Sequence, residues 1–287
     1  MKSAVLLALL AAPLAAQAPP GTDIFLMPLT LTGGSLATGA PRNITARAGY
    51  DNQPFFSPDG RSIYYTSQRD GQTDIYRYDL AAGTATQVTR TAENEYSPTV
   101  MPDGKHFSVI RDSTQHLWSF TLEGAPVRAL LDSIRPIGYH TWLNADTVFV
   151  FVLGSPATLR RAELARGTAA VVASDIGRAL LKVPGRRAVS YAQRDSAGYL
   201  VRTIDPVTGQ GETLIRLPEG NEFFIWLSDG SLLSASGNRL LHWRAGEKDW
   251  SEVTRFTEPG LQRITRLAVS PAGDRLALVG VDPVPPQ

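Results

Sequence analysis

Past its first twenty or so residues, the chain places its apolar side chains in short runs that alternate with polar ones. Ser62-Ile63-Tyr64-Tyr65-Thr66 and Arg187-Ala188-Val189-Ser190-Tyr191 are two of them. Each run is bounded by Gly, Pro, Asp or Asn, and such a pattern predicts half-buried β-strands joined by tight turns. Sustained helical periodicity is missing from this part of the chain; Leu159 to Ala173 is the only stretch that reads either way. The expected class is all-β.

The turns themselves repeat. Phe56-Ser57-Pro58-Asp59-Gly60 returns as Val100-Met101-Pro102-Asp103-Gly104. Degraded forms follow at Trp142-Leu143-Asn144-Ala145-Asp146, Val183-Pro184-Gly185, Leu227-Ser228-Asp229-Gly230 and Ser270-Pro271-Ala272-Gly273. The last residues of these six copies stand at 60, 104, 146, 185, 230 and 273, with spacings of 44, 42, 39, 45 and 43. A period in the low forties belongs to four-stranded propeller blades. Six copies predict a six-bladed β-propeller over residues 19–287.

The two ends of the chain interlock in this reading. In the first full repeat the third strand begins at Asp74, 14 residues after Gly60, and the same offset from Gly273 reaches Gln287. The sixth blade therefore lacks its two outer strands. Asp23-Ile24-Phe25-Leu26-Met27-Pro28-Leu29 resembles Asp74-Ile75-Tyr76-Arg77-Tyr78-Asp79-Leu80, and Ile44-Thr45 precedes Gly60 by the 15 residues that separate Val88-Thr89 from Gly104. Residues 23–45 are thus expected to complete the C-terminal blade by pairing with residues 264–281, so that no sheet edge is left open.

The stretch from Pro54 to Leu80 fits P-x-F-S-P-D-G-x-x-I-x-Y-x-S-x-R-D-G-x-x-D-I-Y-x-x-D-L. It resembles the PD-type, WD-like propeller repeats of the TolB family. The first two blades match closely and blades three to five have lost most of the consensus. The proteins after which the family is named carry a separate N-terminal α/β domain, and with Asp23 already opening a blade strand only the propeller is expected here.

Composition narrows the function classes. Lys plus Arg is 28 against Asp plus Glu 27, and no basic run occurs, so nucleic acid is not an expected partner. Lys2, the apolar stretch Ala4 to Leu14 and Ala16-Gln17-Ala18 read as a secretory signal over residues 1–18, too short to span a bilayer. Its removal leaves 27 basic and 27 acidic residues. No other segment reads as transmembrane. The chain has no cysteine, so an exported fold must be held by its own core, as suits a periplasmic or secreted protein.

Aligning the innermost strands on the six anchors puts equivalent residues in rings about a central channel. One ring holds Asp51, Glu95, Ile137, Gly177, Asn221 and Ile264; the next holds Asn52, Tyr96, Gly138, Arg178, Glu222 and Thr265. Propellers bind ligands at such mouths, a fold-level analogy. Asp51, Asn52, Glu95, Tyr96, Arg178, Asn221 and Glu222, with His140 from the third inner strand, are the candidate binding residues. They compose an acidic and aromatic rim with Arg178 as an isolated positive point, suited to a partner bearing Lys or Arg. Arg69-Asp70, Arg111-Asp112 and Arg194-Asp195 recur after the second strands and read as structural turns, the Arg packing on the adjacent blade. Gly33-Gly34-Ser35 through Gly39 reads as an enlarged loop.

No nucleophile elbow, H-E-x-x-H motif or phosphate-binding loop is present. His106, His116, His140 and His242 fall at different strand positions, so no metal site and no cofactor are expected. The expected function is a non-catalytic scaffold, monomeric, that binds a protein or peptide at the channel mouth. The alternative is a lyase or lactone hydrolase acting on a sugar-derived substrate, its metal held by Asp51, Glu95, Asn221, Glu222 and His140. Expression with the intact N-terminus should give an exported protein beginning near Pro19, checked by N-terminal sequencing of the periplasmic fraction.

Overall fold

In the computed structural model, which describes residues 21–111 and 113–283, the repeat unit is an antiparallel four-stranded meander. Blade one runs outward from the axis as Asp51–Phe56, Ser62–Arg69, Gln72–Asp79 and Thr84–Gln87. The inner strands of the next four blades are Glu95–Val100, Ile137–Trp142, Ile176–Lys182 and Phe224–Trp226. The sixth is Ile264–Val269. The signal-like segment 1–18 and Asp112 lie outside the described residues. Leu159–Ala173 resolves into two strands of blade three, Thr158–Glu163 and Thr168–Ser174.

The anchor turns follow from their residues. Gly60, Gly104, Gly185, Gly230 and Gly273 all have φ between 65° and 83°, which a side chain resists. Asp59 Oδ1 accepts from the Arg61 amide at 3.0 Å. Blade three has no glycine there, and Asn144 Oδ1 holds the turn instead, accepting from Asp146 N at 2.9 Å and Thr147 N at 2.8 Å.

Ring closure takes the expected form. Thr22–Thr32 pairs antiparallel with Arg275–Val281, from Thr22 opposite Val281 to Pro28 opposite Arg275. The equivalence with blade one extends to single hydrogen bonds. Ile44 N donates to Ile24 O at 2.9 Å, as Val88 N does to Ile75 O at 2.8 Å. Ile24 N reaches Thr45 Oγ1 at 3.0 Å, and Ile75 N reaches Thr89 Oγ1 at 2.9 Å. One difference appears in the outer strand, which is split. Arg42–Asn43 pairs with Phe25 and Leu26, while Ser35–Thr38 folds back on Leu29–Thr32. The glycine pair expected in an enlarged loop is a two-residue hairpin turn, with φ of 57° at Gly33 and 81° at Gly34.

The core is divided among the blade interfaces. Six clusters of buried apolar side chains each lie between two neighbouring blades. Ile24, Leu26, Ala277 and Val279 of blade six pack on Phe56, Ile63, Tyr65, Tyr76 and Tyr78 of blade one. Phe25, Met27 and Leu29, on the other face of the same strand, pack on blade five. At about 1.5–3 kcal/mol for each fully buried large side chain, this strand contributes to two interfaces at once. Deleting residues 21–45 should therefore leave Arg275–Val281 as an open, apolar edge and cause aggregation, read by size-exclusion chromatography. A soluble truncated monomer with the parent melting temperature would show that the closing strand is dispensable.

Candidate binding site at the channel mouth

Every inner strand begins at the same end of the channel, and five of the six carry a register break near that end. The breaks lie between Asn52 and Phe55, Tyr96 and Thr99, Ile137 and Tyr139, Ile176 and Leu180, and Ile264 and Arg266. A bulge turns the side chains that follow it. Gln53 and Ser97 sit in these breaks with φ of 57° and 56°. Gln53 Oε1 accepts from Thr66 Oγ1 at 2.7 Å and from Ser97 N at 2.8 Å, which ties blade one to blade two at the lip of the channel.

The solvated acidic rim is not what the structure contains. Asp51 and Glu95 are wholly buried, because the first residue of each inner strand faces the cleft between blades, beneath the linker from the previous blade. Arg47 Nε lies 3.1 Å from Asp51 Oδ2, and Arg111 Nε lies 3.4 Å from Glu95 Oε1. Thr91 Oγ1 also donates to Glu95 Oε1. Burial raises the Asp51 carboxyl, against the opposing pull of Ser67 and Arg47. Burial likewise pushes Glu95 up to about 7, with Thr91, Thr89 and Arg111 opposing it. Asp74 is raised by the same cause and hydrogen-bonds to Glu95. Asp74 Oδ1 and Glu95 Oε2 otherwise have no partner, so one proton held between the two carboxyls satisfies both.

His140 is also drawn away from the channel. It is buried, and its Nε2 meets Ser108 Oγ at 2.6 Å, where the Trp142 indole donates to the same oxygen at 2.9 Å. Burial lowers His140 to about 3 and keeps the ring neutral. The trio locks blade two to blade three, as Trp226 Nε1 to Ser190 Oγ at 2.8 Å locks blade four to blade five. Asn221 is turned to its own blade, donating to Ala235 O at 2.7 Å and accepting from Phe223 N at 2.9 Å. Asn52 accepts from Gln53 N at 2.8 Å, and the Tyr96 hydroxyl stands 3.4 Å from Thr73 Oγ1.

Arg178 and Glu222 are brought together, across the boundary of blades four and five. Glu222 Oε2 accepts from the Arg178 amide at 2.7 Å, and Oε1 accepts from its Nε at 2.5 Å. Burial alone would lower the Arg178 guanidinium, yet Glu222 and Tyr139 outweigh it and leave it raised. Beside this pair stand three groups that the ring alignment missed. Arg266, from blade six, donates Nη2 to the Tyr139 hydroxyl of blade three at 2.8 Å. Its guanidinium lies 4.2 Å from the ring centre of Phe223, in blade five, and 4.9 Å from that of Tyr139. Blades three and six face each other across the axis of a six-bladed ring, so the Arg266–Tyr139 contact spans the channel. Burial by itself would raise the Tyr139 hydroxyl, but Arg266 and Arg178 overcome it and hold it below the usual phenol range. Tyr50, at the lip, is pushed up to about 12 by burial and stays a donor at neutral pH. Gln53, Ser97, Tyr139, Ala179, Phe223 and Arg266 form the next ring in the sequence alignment, so one further residue along each strand was the signal that would have found them.

Two of the recurring Arg-Asp loops are structural in another way than expected: Arg69 and Arg111 stack on their own blades. Arg69 lies 3.9 Å from the Tyr76 ring and Arg111 lies 4.2 Å from that of Trp118. Asp195 accepts both Arg216 terminal nitrogens, at 2.8 and 2.7 Å.

Two further arrangements resemble chemistry and are struts. Ser231 Oγ donates to Asp229 Oδ1 at 2.6 Å and meets His242 Nε2 at 2.8 Å. The carboxylate holds the serine rather than the histidine, the reverse of an activated nucleophile. Among the described residues no three of His, Asp and Glu come together in a way that could hold a metal ion. The five residues named for a metal are dispersed, Asp51 to Arg47, Glu95 to Arg111, Glu222 to Arg178 and His140 to Ser108, with Asn221 bound to its own strand.

Four-stranded blades with Pro-Asp-Gly turns, closed by the chain's own N-terminal strand around an Arg- and Tyr-lined mouth, define a PD-type six-bladed propeller. The family described as the TolB beta propeller domain matches residues 20–135, and over that part the chain is similar to TolB-like propellers. An uncharacterised protein of Agrobacterium fabrum is 31% identical over 125 residues, 42% of this chain and 37% of that protein. The Tol-Pal system protein TolB of Bordetella pertussis is 50% identical over 44 residues, 15% of this chain and 10% of that one. The chain thus spans well under half the length of these relatives. Among solved structures, a candidate TolB from Agrobacterium tumefaciens superposes with a TM-score of 0.71 at 13% identity, covering 93% of this chain and all of that one. The oligogalacturonate lyase of Vibrio parahaemolyticus gives 0.53 at 11%, covering 92% and 98%, and shares the fold alone.

The buried carboxyl pair makes stability depend on pH. Glu95 has an ordinary value of 4.5 when unfolded and about 7 when folded. Below the first value both states hold the proton. Between the two the folded chain holds a proton that the unfolded chain releases, so stability falls as pH rises and reaches its lower plateau above the second. The melting temperature should drop from pH 5 to pH 8, and Glu95→Gln should flatten that drop, measured by calorimetry across the range. Equal slopes in the two proteins would mean that Glu95 ionises normally.

Proposed function

We propose that the chain is an exported, non-catalytic propeller that binds a protein or peptide at the end of the channel where the inner strands begin. The observation that carries this reading is the convergence of Arg178, Arg266, Tyr139 and Phe223 from four blades on one mouth. Arginine and aromatic side chains held in fixed positions are the groups that dominate protein recognition energetics. Arg178 and Glu222 are the two sequence candidates that stand within this cluster, with Asn221 beside them. Asp51, Glu95 and His140 support it from between the blades. The Tol-Pal name of the Bordetella relative agrees with a binding role, and among the described residues no helix is long and apolar enough to cross a membrane.

The test is a pull-down from envelope extract of the producing cell with three baits: wild type, Arg178→Ala and Val207→Glu. Val207 is 66% exposed in a turn of blade four, away from the mouth. Arg178→Ala should lose the partner while costing about 1 kcal/mol of stability or less. Val207→Glu should retain it. Identical partner lists from Arg178→Ala and wild type would move the binding surface away from the mouth.

A further inference from the structure

Arg266 is the charge at the mouth that the protein leaves unanswered. Arg178 has Glu222, but among the described residues no carboxylate lies within salt-bridge distance of Arg266. A guanidinium offers five donors, and Arg266 meets the hydroxyl of Tyr139, with the rings of Tyr139 and Phe223 against its faces. The Arg178 guanidinium also lies close enough to this hydroxyl to lower it. Two guanidinium groups from blades four and six therefore converge on one weak acceptor in the middle of the channel. With Tyr139 and Phe223 they line a cavity of about 140 Å³ whose other walls are chiefly apolar, Pro54, Phe55, Leu180 and Leu267 among them, with Gln53 and Ser97 at its polar side.

From this arrangement, and resting on the protein-binding reading, we infer that the mouth selects a peptide segment bearing a carboxylate. The carboxylate takes the place of the Tyr139 hydroxyl against Arg266 and Arg178, and an adjoining apolar side chain enters the cavity. A planar carboxylate matches the guanidinium fork and accepts far more strongly than a phenol oxygen. One uncompensated positive charge suits a monoanion better than a phosphate dianion. The apolar walls favour a peptide over an acidic sugar, whose hydroxyls would lose their hydrogen bonds to water there. The partner charge is thus the opposite of the Lys or Arg expected from the sequence, because Asp51 and Glu95 are withdrawn into the blade interfaces while Arg266 is added to the channel.

The carboxylate can come from a chain terminus or from an Asp or Glu side chain, and the experiment separates these. Pools of N-acetylated random pentapeptides, one with free C-terminal acids and one with C-terminal amides, are incubated with the protein and retained members identified by mass spectrometry. Trigalacturonate is run beside them. The expected result is retention of the acid pool over the amide pool by roughly tenfold or more, the size of one lost charge-assisted contact, with apolar residues enriched at the C-terminus. Retained amide members enriched in Asp or Glu beside an apolar residue would support the proposal with the side chain as source. Arg266→Gln should remove the preference and Arg266→Lys should restore part of it, with melting temperatures confirming that both variants fold. Equal retention of acid and amide pools without Asp or Glu enrichment would overturn carboxylate selection and leave peptide binding at the mouth standing. Retention of trigalacturonate alone, or of nothing, would overturn both.

Discussion

The pairing of Thr22–Thr32 with Arg275–Val281 is the constraint on which the remaining architecture depends. A propeller stores its apolar burial between blades, so each blade is stable only when both of its neighbours are in place. Six interfaces hold the six apolar clusters of this chain, and two of them contain side chains from the one strand Thr22–Thr32. The same strand carries Asp23, whose oxygens accept from Asn43 Nδ2 at 2.7 Å and Thr45 Oγ1 at 2.8 Å. Opening the ring would release two apolar interfaces and unpair this carboxylate together.

Closure also decides which charges reach the channel mouth. Where blade six meets blade one, and again where blade one meets blade two, an acidic residue at the start of a third strand stands near another at the start of the next inner strand. The pairs are Asp23 with Asp51 and Asp74 with Glu95. Each is enclosed by hydroxyls and one arginine, Arg47 or Arg111. These groups fix the top of the interface and are lost to the mouth. The interfaces between blades three and four, four and five, and five and six lack such pairs among the described residues, and there the charged residues at the same level, Arg178, Glu222 and Arg266, remain at the channel. The chemical unevenness of the mouth is a consequence of which blades keep the consensus.

The blades were legible because their information is local and repeated. Pro-Asp-Gly fixes a turn, alternation fixes the faces, and a copy number of six fixes the ring. Even the degenerate blade-three anchor Asn144-Ala145-Asp146 folds at its predicted place, through a side chain instead of a glycine. The orientation of the ring residues was not legible. Asp51 and Arg178 occupy neighbouring rings by alignment, yet one is wholly buried and the other has a side chain 48% exposed. Bulges between them shift the side-chain alternation by one position, and no local signal in a single sequence marks a bulge that a Gln or Ser adopts at positive φ. The missed residues Tyr139 and Arg266 lie just past those breaks, and Phe223 directly precedes the inner strand of blade five, which has none. The split outer strand of blade six was missed for a related reason, since Gly33-Gly34 reads equally as a long loop or as a tight turn until its partner strand is known.

Arg266 gives this geometry a further consequence for how the channel works. Its side chain crosses from blade six to Tyr139 on the facing blade, and so divides the channel into two compartments. Below it lies a pocket of about 490 Å³ lined chiefly by apolar residues, Phe55, Phe56, Ile225, Trp226 and Val269 among them. Above it are the exposed Arg178 and the half-buried Glu222. The dividing contact is a single hydrogen bond to the Tyr139 hydroxyl, with the faces of two rings against the same guanidinium. On the proposed carboxylate-binding reading, a better acceptor offered from the mouth would replace this bond by a stronger one. The lower pocket is lined also by the anchor-turn residues Pro58, Pro184 and Ser228 at the far ends of the inner strands, so the two mouths of the channel are chemically distinct, and they are parted by a side chain that no blade consensus specifies.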